Sequence, residues 1–326
     1  MKKRKINLAL VCTIGGHFEQ LTNLNEFYDQ YKHFWITNEN KQTVSQLEKE
    51  KKYFIKMGHY KKPWTYLSQL PPLIKIFTRE KPTHILSTGS GRTTFIPFIL
   101  AKLMGIKFLY IDTFSRVNGY SKMGTFLLKT GNQIFTQWQP SCNGRAHYIG
   151  PVFKNAEEIQ RNPDRDFIFV TVGTRVQPFT RLIEAVEELA KNGIIKERVV
   201  VQAGHTKHIS KHLEIFDFCT PLEIDNLIAD AKYVITQESA GIGTKCLKFK
   251  TKFIVMPRDY QFGELPAKSD MNEDLHFNLE EMGYTKVVTN ASELGDAITK
   301  LGEVKIGFRF DNTQAVKTLH EIMEGS

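Results

Sequence analysis

At roughly 100 to 200 residues per domain, a chain of 326 residues is long enough for about two domains, each with a core of its own. Its 44 Lys and Arg against 35 Asp and Glu give a net charge of +9, unevenly spread: residues 1–150 hold 22 basic and 8 acidic side chains (+14), the remainder 22 and 27 (−5). Cys12, Cys142, Cys219 and Cys246 form no CxxC pair, which argues against a disulfide framework or a cysteine zinc site and fits a reducing, cytoplasmic setting.

The basic start, Lys2 to Lys5, precedes an apolar run at residues 6–12 that is too short for a signal peptide or a membrane span. That run is predicted to be a strand, followed by strands at 33–36, 53–57, 84–87, 108–111 and 133–136, with helical patterns at 18–31, 66–79 and 94–104 between them. Such alternation predicts β-α-β winding around a mostly parallel sheet. Residues 150–166 interrupt it with Gly150-Pro151 and a polar, charged stretch, which sets a linker and a domain boundary near Lys154. The scheme then repeats, with strands at 167–172, 199–202, 233–236 and 253–256 and an amphipathic helix at 179–191 that puts Leu182, Ile183, Val186 and Leu189 on one face. The expected fold class is α/β with two nucleotide-fold domains, residues 1–153 and 154–326, and a cleft between them.

Ligands of open α/β sheets sit beyond the carboxyl ends of the strands. Gly15-Gly16 turns the chain there and leaves His17 near a helix N-terminus, where the dipole favours a neutral imidazole; a general base and a helix-capping residue are both open readings. Gly89-Ser90-Gly91 follows a strand and opens a helix, geometry suited to an anion or a sugar, without the third Gly of a dinucleotide fingerprint or the Lys of a P-loop. Asp112 and Arg116 stand just past the next strand; Asp112 is a candidate base or orienting group, or a turn residue. In the second half, Gly173-Thr174, Gly204-His205 and the loop Ser239-Ala240-Gly241-Ile242-Gly243-Thr244 each follow a strand, and three such loops favour a diphosphate-bearing ligand. Asp270 with Glu273 forms a capping box that would aim a further helix at the same place. No His/Asp/Glu cluster with metal spacing accompanies these loops, so protein dipoles and cations are expected to neutralise the diphosphate without a metal. Residues 60–79, with Trp64, Tyr66 and Leu67 among Lys61, Lys62, Lys75 and Arg79, suit an anionic membrane interface, whereas 95–104 suits a core helix as well as an interface.

In this order, Gly15-Gly16-His17 with Glu19-Gln20-Leu21, Ser87-Thr88-Gly89-Ser90-Gly91, Thr113-Phe114-Ser115-Arg116-Val117 and Ile149-Gly150-Pro151-Val152 resemble the acceptor half of the two-part GlcNAc transferase that builds lipid-linked chitobiose. Phe169-Val170-Thr171-Val172-Gly173-Thr174 and the Ser239 to Thr244 loop resemble its donor half. The match runs from about residue 6 to residue 288, in the order of the fused archaeal form, and extends to bacterial capsule transferase pairs and the lipid II-forming GlcNAc transferase. The resemblance implies a GT-B enzyme that takes GlcNAc from UDP-GlcNAc to polyprenyl- or dolichyl-diphosphate-GlcNAc in β-1,4 linkage, inverting and metal-free, attached peripherally to the cytoplasmic face of the membrane.

On that basis His17 and Asp112 would be catalytic, and Gly15, Gly16, Gly89, Ser90, Gly91 and Arg116 would hold the acceptor. Gly173, Thr174, Gly204, His205, Glu238, Ser239, Gly241, Gly243, Thr244 and Asn272 would hold the donor. The chain departs from the family where Glu is usual and Asp112 stands, where one register puts Gln237 and Lys245 in place of a His and a ribose-binding Glu, leaving Glu238 as the substitute, and where Asp270-Met271-Asn272 replaces Asp-His-Gln. Transfer of glucuronic acid, galactose or glucose in polysaccharide assembly is the alternative within the class. A basic nucleic-acid-binding protein is the alternative outside it, opposed by the absence of a recognised nucleic-acid motif, and a dehydrogenase is opposed by the lack of GxGxxG after the first strand.

Overall fold

Short apolar runs without alternation suit parallel strands covered on both faces, and the computed structural model, which describes residues 6–59, 62–154, 166–266 and 274–325, builds them that way. The chain forms two units, Met1–Lys154 with Phe310–Ser326, and Asn155–Arg309. In the first unit lie β1 (Asn7–Val11), β2 (Lys32–Thr37), β3 (Lys52–Phe54), β4 (His84–Ser87), β5 (Lys107–Tyr110), β6 (Ile134–Thr136) and β7 (Ala146–Tyr148). The second holds β8 (Phe167–Thr171), β9 (Arg198–Gln202), β10 (Glu214–Phe216), β11 (Val234–Thr236), β12 (Phe253–Val255) and β13 (Lys286–Val287).

The first sheet runs β3-β2-β1-β4-β5, parallel throughout, and a parallel β6-β7 pair joins it through a bridge from Ile111 to Phe135. The second runs β10-β9-β8-β11-β12-β13, also parallel. Strand order reverses between β1 and β4 and again between β8 and β11. These are the switch points at which such sheets open a crevice, so the loops carrying Gly15 and Gly89 lie side by side, and so do those carrying Gly173 and Ser239.

The expected helix at 18–31 is two pieces, Gly16–Thr22 and Asn25–Tyr28, because the Asn23 side chain donates back to the Glu19 carbonyl at 2.7 Å. The expected helix at 66–79 likewise splits into Trp64–Leu67 and Leu70–Glu80, the second begun by prolines in its first turn. Helix Gly91–Met104 is core: Ile96, Phe98 and Leu100 are buried, and only its end exposes Leu103 and Met104. β7, β10 and β13 escape a sequence reading because two or three edge residues give too short an apolar pattern. The capping box of Asp270 and Glu273, and residues 155–165 of the linker, lie outside the described residues.

Residues 310–326 belong to the first unit, not to the second domain in which the sequence reading put them. Helix Thr313–Glu324 buries Ala315, Leu319 and Met323 as one stripe. His320 Nδ1 meets the Tyr31 hydroxyl at 2.8 Å, the Asn312 amide donates to the Asn23 carbonyl at 2.8 Å, and Phe310 packs on Phe153 with ring centroids 5.6 Å apart. Phe310→Ala should therefore destabilise the first unit by about 3 to 5 kcal/mol, measured as the shift of its urea transition; a change under about 1 kcal/mol would show that this segment is not part of that core.

Candidate functional site

Gly15, at φ 80° and ψ −140°, occupies a region that glycine alone enters freely. It delivers His17 into the first turn of helix Gly16–Thr22, and no heavy atom stands within 4 Å of where a Cβ on Gly15 or Gly16 would lie, so the turn is open on its outer side. The neighbouring loop is tied to it. Thr88 Oγ1 donates to the His17 carbonyl at 2.7 Å and the Ser90 N–H to Thr13 Oγ1 at 3.4 Å, while a Cβ on Gly89 would stand 3.2 Å from Cys12 Cα. A Cβ there would also overlap Thr94 Oγ1, so Gly89 is crowded by a side chain of the helix that follows it and by the backbone of the neighbouring loop.

His17 is half-buried, and its Nδ1 is shielded from solvent without a hydrogen-bond partner. Burial pushes its pKa down to about 4, with a backbone contact to Thr88 opposing, so the ring is neutral near pH 7. The helix start receives no side-chain cap, which leaves the capping reading of His17 without support.

Asp112 has a different duty. Its Oδ1 accepts from the Thr113 N–H at 2.8 Å and its Oδ2 from the Ser121 N–H at 2.9 Å, and it packs against Gly124, where a Cβ would overlap it. Burial pushes its pKa up and these donors pull it back. Through these bonds the carboxylate orders the 113–121 loop ahead of helix Lys122–Lys129, which is the work of a turn residue. Arg116 gives its backbone N–H to the Thr113 carbonyl at 3.2 Å, and its half-buried guanidinium makes no ion pair among the described residues.

Two buried amides, one of them unmarked in the sequence, join these loops. Gln20 donates to the Gly16 carbonyl at 3.1 Å and accepts from the Phe114 N–H at 3.0 Å and from Gln137 Nε2 at 2.6 Å. Gln137 also donates to the Asp112 carbonyl at 2.8 Å and accepts from the Val152 N–H at 3.1 Å. The only signal for Gln137 was a polar residue one step past a strand.

In the second unit the same office falls to Arg258, 1% exposed and also unmarked in the sequence reading. It donates to the Val172 carbonyl and the Gln177 carbonyl at 2.8 Å each, to the Glu264 carbonyl at 3.2 Å and to Gln237 Oε1, and it stacks 4.7 Å from the Phe179 ring centroid. Burial lowers its pKa to about 10, so it stays charged. Gly173 (φ 72°) and Gly204 (φ 57°) are left-handed and crowded: a Cβ on Gly173 would overlap Gln237 Nε2, and one on Gly204 the Gly173 carbonyl. Thr174 and His205 are exposed, His205 edge-on to Phe218 at 5.0 Å.

Ser239 caps helix Ala240–Lys248 by accepting from the Ile242 N–H at 3.4 Å, and a Cβ on Gly241 would meet only Ser239 Oγ, at 4.0 Å. Glu238 accepts from the Arg258 N–H at 2.8 Å through Oε2; its Oε1 is shielded and unpartnered, and burial raises its pKa. Gly243 and Thr244 face inward instead. A Cβ on Gly243 would stand 2.8 Å from His276 Cε1, and Thr244 is buried. Lys245 is ion-paired with Asp225, so it is not available to a ribose, and Asn272 lies outside the described residues. Among the described residues, no group of three His, Cys, Asp or Glu is placed to hold a metal ion and no helix is long and apolar enough to cross a membrane.

No protein-family model matches the chain. It is similar to the UDP-N-acetylglucosamine transferase subunit ALG14 of Candida albicans, at 26% identity over 177 residues, 46% of this chain and 81% of that protein. Its fold is the GT-B fold, shared with the UDP-GlcNAc 2-epimerase of Methanocaldococcus jannaschii (TM-score 0.69, 13% identity, 98% of this chain and 100% of that one). It is shared also with MurG of Acinetobacter baumannii (TM-score 0.62, 12% identity, 99% and 100%) and with the kitacinnamycin glycotransferase (TM-score 0.66, 12% identity, 99% and 96%).

Crowding and burial in the second unit each have a measurable consequence. Gly173→Ala combines a left-handed φ with overlap on Gln237 and should cost about 1 to 3 kcal/mol, read as a lower urea midpoint; an unchanged midpoint would refute the crowding. His276 is buried with both ring nitrogens unpartnered and its pKa lowered to about 4. A folded pKa below the unfolded 6.5 means that its contribution is full above pH 6.5 and is lost as pH falls from there to about 4. His276→Leu should therefore flatten the loss of stability between pH 6.5 and 4, and parallel curves would show that His276 does not drive it.

Proposed function

We propose that the chain is an inverting, metal-independent transferase that moves GlcNAc from UDP-GlcNAc to the 4-hydroxyl of a polyprenyl-diphosphate-linked GlcNAc, forming a β-1,4 bond. The observation that carries this reading is His17, neutral and half-buried in the open Gly15-Gly16 turn and tied to the Gly89 loop. The similarity to a UDP-N-acetylglucosamine transferase subunit and the ordered motifs of the sequence support the choice of sugar and acceptor.

In the reaction, the acceptor oxygen bonds to the anomeric carbon while the bond from that carbon to the UDP oxygen breaks, and UDP leaves with the electron pair. The acceptor proton passes to the His17 imidazole. An imidazole with a pKa of about 4 is a weak base on its own, but a diphosphate bound nearby stabilises the imidazolium and raises that pKa when the acceptor arrives. The guanidinium of Arg116 is one cation of the first unit for the acceptor diphosphate. The open Gly241 turn at the start of helix Ala240–Lys248 and the exposed Thr174 are the groups for UDP. Glu238, with one shielded and unpartnered oxygen, is the acceptor for the donor's hydroxyls.

Membrane attachment at the cytoplasmic face is part of the same proposal. Trp64 and Leu67 are 62% and 63% exposed in a stretch that also exposes the cations Lys62, Lys75 and Arg79, whereas Leu73, Ile76 and Phe77 of the following helix are buried. Exposed apolar side chains in a segment rich in exposed cations suit a surface of anionic lipid.

Purified protein given synthetic polyprenyl-diphosphate-GlcNAc and a panel of UDP-sugars should yield a HexNAc product from UDP-GlcNAc alone, with or without chelator. A hexose or uronic acid product would move the protein to polysaccharide assembly, and conversion of UDP-GlcNAc to its 2-epimer without acceptor would overturn the transferase reading. His17→Ala should lower turnover by roughly 10²- to 10⁴-fold and leave UDP binding, followed by calorimetry, within about twofold; retained turnover would remove His17 as the base.

A further inference from the structure

A pocket of about 310 Å³ in the first unit is lined by Tyr66, Gly91, Phe95, Lys122, Met123 and Phe126. Its walls are aromatic and edge-on: the Tyr66 and Phe95 centroids are 6.1 Å apart, those of Phe95 and Phe126 5.3 Å, with Phe98 behind Phe126 at 6.0 Å. Gly91 keeps one side open, since a Cβ there would reach only as far as Met123 Sδ at 3.8 Å. The volume lies at the lower end of small-ligand sites, about 300 to 1,000 Å³. That accommodates a short branched hydrocarbon and not a whole lipid chain.

We propose that this pocket takes the isoprene units next to the diphosphate of the acceptor lipid, an inference that rests on the acceptor assigned above. Charge selects that occupant. Lys122 is the single charged side chain of an otherwise aromatic and apolar lining, so the pocket suits a hydrocarbon that ends in an anion; an uncharged hydrocarbon would gain nothing from the ammonium, and a sugar would leave most of its hydroxyls without hydrogen-bond partners. Position selects it as well. Tyr66 belongs to helix Trp64–Leu67, whose Trp64 and Leu67 are exposed, and Gly91 continues the Gly89-Ser90 loop that is bonded to Thr13 and, through Thr88, to the His17 carbonyl. The pocket therefore connects the apolar helix to the histidine loop within one unit.

Geranyl diphosphate, titrated calorimetrically in detergent-free buffer, tests this directly. It should bind at least about tenfold more tightly than inorganic diphosphate, because burying a few methylene groups is worth that much, and more tightly than geraniol, which brings no anion to Lys122. Phe126→Ala and Tyr66→Ala, on two different helices and checked for folding by thermal melts, should each weaken it by about tenfold. In turnover, the ratio of kcat/KM for a geranyl over a methyl diphosphate-GlcNAc acceptor should fall by a similar factor in both variants. Equal binding of geranyl and inorganic diphosphate, or variants that leave geranyl diphosphate binding and the ratio unchanged, overturns the pocket even if transfer runs. Absence of transfer with every acceptor, together with geranyl diphosphate binding that Phe126→Ala and Tyr66→Ala weaken, upholds the pocket and removes the transferase reading.

Discussion

A parallel sheet ends in a row of loops whose backbone N–H and C=O groups have left the ladder, and any of them that is buried must find a new partner. Everything at the candidate site depends on how that demand is met. In the first unit it is met by the Gln20–Gln137 pair, which reaches the Gly16 carbonyl, the Phe114 N–H, the Asp112 carbonyl and the Val152 N–H. In the second it is met by one guanidinium, Arg258, which gathers carbonyls from three segments of chain. An amide serves the first because it both donates and accepts. The second collects only acceptors, for which a cation with five donors is the better group.

This difference has an energetic side. Removing Gln20 strands neutral groups, whereas removing Arg258 strands several carbonyls and takes away the charge that lies beside Glu264 and Glu238. Arg181 partly shares that load, pairing with both oxygens of Glu264 at 3.0 Å. The loops of the second unit are thus held largely by buried ionic contacts, and the Gln20–Gln137 junction of the first by neutral hydrogen bonds.

The strands and the glycine turns were legible in the sequence because both are local: an apolar run predicts β1 or β8, and Gly15 or Gly173 marks a backbone that must go left-handed or bend sharply. The setting of His17 was legible in part, since its place after a glycine turn is local while the shielding of its Nδ1 comes from packing. Asp112 was legible in part for the same reason. A strand-end acid invites a catalytic reading, and only the N–H groups of Thr113 and Ser121, the latter nine residues away, show that it is already engaged. Gln137 and Arg258 were invisible, because their partners are brought to them by the switch in strand order and no spacing along the chain records it.

The return of residues 310–326 to the first unit makes the second unit an insertion within the first. A ribosome that has released residue 154 has made all of the first sheet but not the cover for Phe153, Phe114 and Phe27, which Phe310 and His320 supply. The first unit is consequently the first to begin folding and the last to finish, and during synthesis the intervening second unit is made while those rings stand uncovered.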